Sequence, residues 1–382
     1  MTVKSQVAEI RIRGYNATNY TILSEDGYYS TIYRIPGGPQ SPPRKGKRSV
    51  LVYHGFGSAA QSWIIQPGSR NLAFTLADAG YEVWLANARG TSPSKKHINL
   101  DADRDLEYWN FNIDELGTKD LPLMVDLMLR ETGTKQVYYA CHSVGCAILL
   151  SGLENVPDLN GKFKASFFLA PSVFFGSGYN PALAICRSIL GTPLESFFYW
   201  VMGGKLNGEP SKLATYLGLT PGRICSWKFM RCGICDNVLF AFYGADPQQL
   251  DYGNLPNIVT KLGDNGALKL PFHFTQIDIA CDFQKYDFGL EKNMLKYGSS
   301  KPPKYNISQM KVPTYIFYGE LDNFVTPWDA ARTRDAIPKE FMKGFYKVES
   351  ELFNHIDFLM AKDADVLVYN KVLSIVNEIE SK

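Results

Sequence analysis

The sequence predicts an α/β fold: a mostly parallel central sheet with helices on both faces and one large insertion. Two observations carry this. Short, continuous runs of β-branched, aromatic and apolar residues alternate with helical patterns, and in one long stretch the alternation stops. A strand buried on both faces reads as an unbroken apolar run rather than an alternating one. Ser49–Tyr53 (SVLVY), Glu82–Ala86 (EVWLA), Gln136–Ala140 (QVYYA), Ala165–Leu169 (ASFFL) and Thr314–Tyr318 (TYIFY) are runs of that kind. Helical patterns at Asn71–Ala79, Leu121–Glu131 and Gly145–Leu153 lie between them, giving the rhythm of a doubly wound sheet.

The rhythm stops at Phe175 and resumes only after Pro303. This stretch holds FFYWVMGG (Phe197–Gly204), several Gly and Pro breaks and a cluster of cysteines. We expect residues 175–303 to form a cap with a lid, inserted over the carboxyl ends of the strands. It would divide the core into a first part, 1–174, and a second, 304–382. An independent second domain would occupy the same span.

Composition narrows the function classes. A chain of 382 residues with 45% hydrophobic, 13% aromatic and 20% charged residues is neither disordered, collagenous nor coiled-coil. Lys and Arg number 40 against 38 Asp and Glu, with no long run of either sign, so nucleic acid is not an expected partner. No stretch reaches the ~18 uninterrupted apolar residues of a membrane span. The first residues lack a signal-peptide core, so the chain is either cytosolic or begins near a processed N-terminus. Asn16, Asn19 and Asn306 open N-x-[ST] sequons, which lean toward secretion.

Seven cysteines leave at least one free thiol in a monomer. Cys232-x-x-Cys235, with Cys225 nearby, reads as incidental spacing or a single local disulfide. No second pair or histidine couple accompanies it to hold zinc. Cys141, Cys146, Cys186 and Cys281 sit in apolar settings and read as buried small hydrophobes. No metal or organic cofactor is expected.

Tyr138 to Ile148 reads as strand, tight turn and helix around Cys141-His142-Ser143-Val144-Gly145, which is G-x-S-x-G with Cys141 in place of the first glycine. Small residues must flank a serine on such a strained turn, because bulk would strike the neighbouring strand. A nucleophilic serine needs a base and an orienting acid. Of five histidines, His355 falls after the last strand region, where the chain order Ser…Asp…His of α/β hydrolases requires it. His142 should point away from the site, and His97 and His273 read as packing or surface residues.

Asp322 follows the run Thr314–Tyr318 and precedes His355 by 33 residues, room for a helix and a strand. Glu320 reads as a solvated turn residue, and Asp278, Asp282 and Asp287 fall in the expected cap. An oxyanion hole needs two preorganised N–H groups. Val144, after the serine, and Phe56, in His54-Gly55-Phe56-Gly57 after the first strand run, are the candidates.

With these motifs in order, the sequence resembles the acid lipase family of animals, the group of gastric, lysosomal acid and lingual lipases. The resemblance runs through Ser24–Tyr28, Arg34–Gly37, Leu76–Leu85, Asn87–Gly90, Tyr108–Phe111, Asp114-Glu115, Asp120–Pro122, Pro302–Asn306 and Asn354–Phe358. It implies an α/β-hydrolase core, a cap with a mobile lid, and hydrolysis of neutral lipid esters such as triacylglycerols or steryl esters, at a lipid–water interface. It implies passage through the secretory pathway to the outside or the lysosome, glycosylation at positions such as Asn306, and one cap disulfide, Cys225 with Cys232 or Cys235. The family's nucleophile falls on Ser143, its acid on Asp322, its base on His355 and its oxyanion amides on Phe56 and Val144. Cys141 and Val144 depart from the family's usual G-H-S-Q-G, which bears on substrate preference and rate. His273 and Gln276 match a cap motif read as structural. Two other functions fit the same residues: an acyltransferase or esterase for non-glyceride esters, and a silent lipid-binding homologue.

Overall fold

The computed structural model describes residues 3–44, 46–68, 70–176, 178–206 and 212–381. Its main sheet is built from β1 (Thr18–Leu23), β2 (Tyr28–Ile35), β3 (Ser49–Tyr53), β4 (Glu82–Ala86), β5 (Lys96–His97), β6 (Val137–His142) and β7 (Phe163–Leu169). Two short strands, β8 (Lys205–Leu206) and β9 (Gly266–Ala267), pair with each other apart from it. The main sheet is completed by β10 (Thr314–Tyr318) and β11 (Met342–Lys347). Its order is β1-β2-β4-β3-β6-β7-β10-β11, with β5 alongside β2. From β4 to β11 all pairings are parallel, whereas β1, β2 and β5 join antiparallel.

The continuous apolar runs follow from burial on both faces. Leu51, Tyr53, Tyr139 and Cys141 face one apolar layer with the helices Leu121–Thr132 and Val144–Asn155. Their strand neighbours Val50, Val52, Tyr138 and Ala140 face the other, against helices Leu72–Asp78 and Asn370–Glu380. Alternate residues thus point into two cores, and both must be apolar. The N-terminal hairpin β1–β2 and the strand β11 lie outside the five runs predicted from sequence.

Residues 175–303 add no strand to the main sheet among the described residues. They form helices, two of them opened by a hydrogen-bonded polar cap before proline. Asn180 accepts from the Ala182 N–H ahead of Pro181–Ile189, and Thr192 from the Leu194 N–H ahead of Pro193–Val201. Such caps satisfy amides that the helix itself leaves unpaired. The helix Lys269–Ala280 lies inside, with Phe272, His273, Phe274 and Ile277 buried. The helices around Phe197, Trp200, Phe229 and Val238 expose these side chains instead.

The cysteines differ in part from their expected places. Cys141 and Cys146, read as independent small hydrophobes, form a disulfide across the turn that carries Ser143. Cys225 pairs with Cys235, leaving Cys232 exposed with a free thiol. Cys186 is buried and free, but Cys281 is exposed, at the left-handed end of helix Lys269–Ala280.

Candidate active site

Ser143 sits between β6 and the helix Val144–Asn155 with φ 57° and ψ −125°. A non-glycine residue in this region is strained and is held there by its surroundings. The Ser143 N–H donates to the Leu169 carbonyl at the end of β7 (3.0 Å). Gly145 lets the helix approach β3, since a Cβ there would lie 3.0 Å from the carbonyl oxygens of Tyr53 and His54. Gly55 is needed likewise: a Cβ would meet His142 Nδ1 at 2.9 Å and Ser143 Cβ at 3.0 Å.

The loops after β10 and β11 bring the other two expected residues to this turn. His355 Nε2 lies 3.0 Å from Ser143 Oγ, and His355 Nδ1 lies 2.9 Å from Asp322 Oδ2. The second oxygen of Asp322 accepts the N–H groups of Phe324 (2.8 Å) and Val325 (2.7 Å), which aims the carboxylate at the imidazole. With Nδ1–H donated to Asp322, Nε2 is the acceptor and takes the serine proton. Gly319 permits the approach of the two loops, because a Cβ would stand 2.2 Å from the Phe353 carbonyl oxygen. In the NHIDF motif, Asn354 Oδ1 accepts from the N–H groups of Ile356 and Asp357, and its Nδ2 donates to the Gly244 carbonyl (2.9 Å). That last bond anchors the loop of His355 to the 175–303 segment.

The candidate oxyanion amides also converge. Val144 is the first residue of its helix, so its N–H has no intrahelical partner. Phe56 lies in the loop after β3, and both residues line a crevice of only about 20 Å³, near the size of one water. Neither N–H bonds another described residue. His54, in the same loop, is structural: its Nδ1–H donates to the Gly55 carbonyl and its Nε2 accepts the Ala88 N–H. Burial pushes it down to about 4, so it stays neutral.

Ser143, Asp322 and His355 are each 3% exposed. Phe324 and Tyr243 pack on the His355 ring, Phe274 on Phe324, and Phe175 on both Phe274 and Phe324, closing an aromatic roof. The remaining acids stand elsewhere: Glu320 is exposed beside Lys347, Asp278 beside Arg187, Asp282 beside Lys304, and Asp287 beside Asn293. No group of three or more His, Cys, Asp or Glu suited to a metal occurs among the described residues.

Comparison with known proteins gives the family. The α/β-hydrolase fold model matches residues 48–353, and a partial α/β-hydrolase lipase region matches 7–67. Lipase member K of Homo sapiens is 33% identical over 367 residues, 96% of this chain and 88% of its own. This chain belongs to the acid lipase family. Gastric triacylglycerol lipase of Homo sapiens is 30% identical over 96% of this chain and 89% of its own. A solved bacterial membrane phospholipase A superposes with a TM-score of 0.51 at 11% identity, over 99% of this chain and 93% of that one, a likeness of fold alone.

Three features of this acid lipase escaped sequence reasoning. His142 packs beside His355, its Nε2–H donating to the His355 carbonyl (2.8 Å), so it supports the base from behind. Burial holds His142 well below the usual histidine range, which fits a neutral donor. Ser172 reaches Ser143 directly, Oγ to Oγ at 2.7 Å. Arg89, wholly buried, bonds Asp120 and Asp26 and lies over the Tyr28 ring, so three of the family-like motifs meet in one ion cluster. Burial opposes the charge on Asp26, but Arg89 holds its carboxyl well below the ordinary range.

Proposed function

We propose that this chain is a serine lipase that hydrolyses carboxylic esters of neutral lipids, triacylglycerols or steryl esters, through an acyl-enzyme on Ser143. The carrying observation is the hydrogen-bonded line from Asp322 through His355 to Ser143 at a strained strand–helix turn. His355 takes the serine proton as Oγ attacks the ester carbonyl. The amides of Phe56 and Val144 receive the oxyanion, and His355 returns the proton to the departing alcohol. Water then enters, loses a proton to His355 and releases the fatty acid. Gastric triacylglycerol lipase, by its name, acts on triacylglycerol, and its likeness over nearly the whole chain supports this substrate class.

Residues 175–303 serve in this reading as the cap. With Ser143 at 3% exposure and an aromatic roof above it, an ester enters only when part of the cap moves aside. The exposed Phe197, Trp200, Phe229 and Val238 favour contact with a lipid–water interface, where apolar surface leaves water. Exposure of Asn16, Asn19 and Asn306 and the two disulfides support a secreted or lysosomal location.

The test uses triolein, cholesteryl oleate and p-nitrophenyl butyrate, with and without an acceptor alcohol. The chain should release free fatty acid, and Ser143→Ala should release none while melting at an unchanged temperature. Cleavage by Ser143→Ala would end the reading. Alkyl ester formed in place of fatty acid would assign acyl transfer instead.

A further inference from the structure

Ser172 stands three residues beyond the end of β7, after Ala170 at a positive φ of 48° and Pro171. It is fully buried, and its N–H donates to the Ser143 carbonyl (3.2 Å). Its hydroxyl lies 2.7 Å from Ser143 Oγ and has no other partner among the described residues. The direction of that bond follows from the protons available. Asp322 takes Nδ1–H of His355, so bare Nε2 takes the single hydrogen of Ser143. Ser143 has no second hydrogen to give, and Ser172 is therefore the donor.

We propose that Ser172 is a further catalytic residue, donating a hydrogen bond to Ser143 Oγ and assisting its departure when the acyl-enzyme is hydrolysed. This rests on Ser143 being the nucleophile. During acylation the bond draws density from the attacking lone pair. During deacylation the bond between the acyl carbon and Oγ breaks, Oγ gathers negative charge, and the proton it finally takes comes from His355 Nε2. Ser172 keeps its own proton throughout. A hydrogen bond to a charged oxygen is roughly twice as strong as one to a neutral oxygen. Oγ gathers the same charge when it attacks, but the free Ser143 hydroxyl already accepts this bond before acylation, whereas in the acyl-enzyme Oγ is an ester oxygen and a poor acceptor. The bond therefore strengthens more on the way through deacylation, and its loss slows the second step more than the first.

The test is pre-steady-state hydrolysis of p-nitrophenyl butyrate by Ser172→Ala. Deacylation should fall about threefold to tenfold, the worth of one such bond. Acylation should change by less than about threefold, so the nitrophenol burst grows toward one per active site. Unchanged stoichiometry of fluorophosphonate labelling shows the site assembled. Ser172→Cys, similar in volume but a far weaker donor, should move deacylation the same way and covers an Ala variant that fails to label. Equal losses in both steps, or no change in either, would overturn the proposal. A burst that persists in Ser143→Ala would instead remove the nucleophile assignment beneath it.

Discussion

The parallel sheet and the outer helices of residues 175–303 spend their apolar residues in opposite ways. Val50 to Tyr53 are buried on alternate faces of the sheet, each against a layer of helices. Trp200 is 65% exposed and Phe229 77%, with no described element over them. Burial of a side chain this large contributes about 1.5–3 kcal/mol, so the outer helices forgo stability that the sheet takes. The difference separates two tasks. The loops of the sheet carry Ser143, Asp322 and His355, braced from the 175–303 segment at Tyr243 and Gly244, while the outer helices leave their apolar side chains uncovered.

The largest effect belongs to the residues that the sheet's loops carry. His355→Ala should lower kcat about 10⁶-fold with little change in melting temperature, since the histidine supplies chemistry rather than packing. Arg89→Met attacks the sheet side, leaving Asp120 buried and unpaired. It should cost about 3–5 kcal/mol in urea unfolding. A loss under about 1 kcal/mol would show that the ion cluster is dispensable.

Acid probes the inner helix of the insert. Burial pushes His273 down to about 4, while an unfolded histidine protonates near 6.5. The unfolded chain therefore binds the proton first, and the stability from neutral His273 is complete above about pH 6.5 and is lost as pH falls toward 4. By pH 5 the loss is about 2 kcal/mol. His273→Gln should flatten the fall in melting temperature between pH 7 and pH 5. The smallest effect on the fold belongs to the outer face. Phe197→Ser with Trp200→Ser should leave unfolding free energy within about 0.5 kcal/mol. It should lower turnover of emulsified triolein about tenfold and that of soluble p-nitrophenyl butyrate less than about twofold. Equal losses on both substrates would deny these residues an interfacial task.

The parts legible in the sequence were those where chemistry leaves a local mark. The five parallel runs are apolar because both faces are covered, and the strained turn demands small residues around Ser143. β1 (TNYTIL) is mostly exposed and β11 (MKGFYK) is a half-exposed edge strand, so neither carries an unbroken apolar run. β2 is buried yet rich in Tyr, Ser and Thr, whose hydroxyls mask its burial. Ser172 was hidden because its partner lies 29 residues away on another strand end and no motif marks it. The Cys141–Cys146 bridge had a sequence signal in two cysteines flanking the serine turn, which apolar surroundings made easy to read as packing alone.

Everything proposed for the site rests on Ser143 as the nucleophile, activated by His355. Labelling with a fluorophosphonate followed by peptide mapping tests it most directly. One phosphonyl adduct per chain, on Ser143, and its loss in His355→Ala are the predicted result. An adduct on another residue, or none on an enzyme that still cleaves esters, would contradict it.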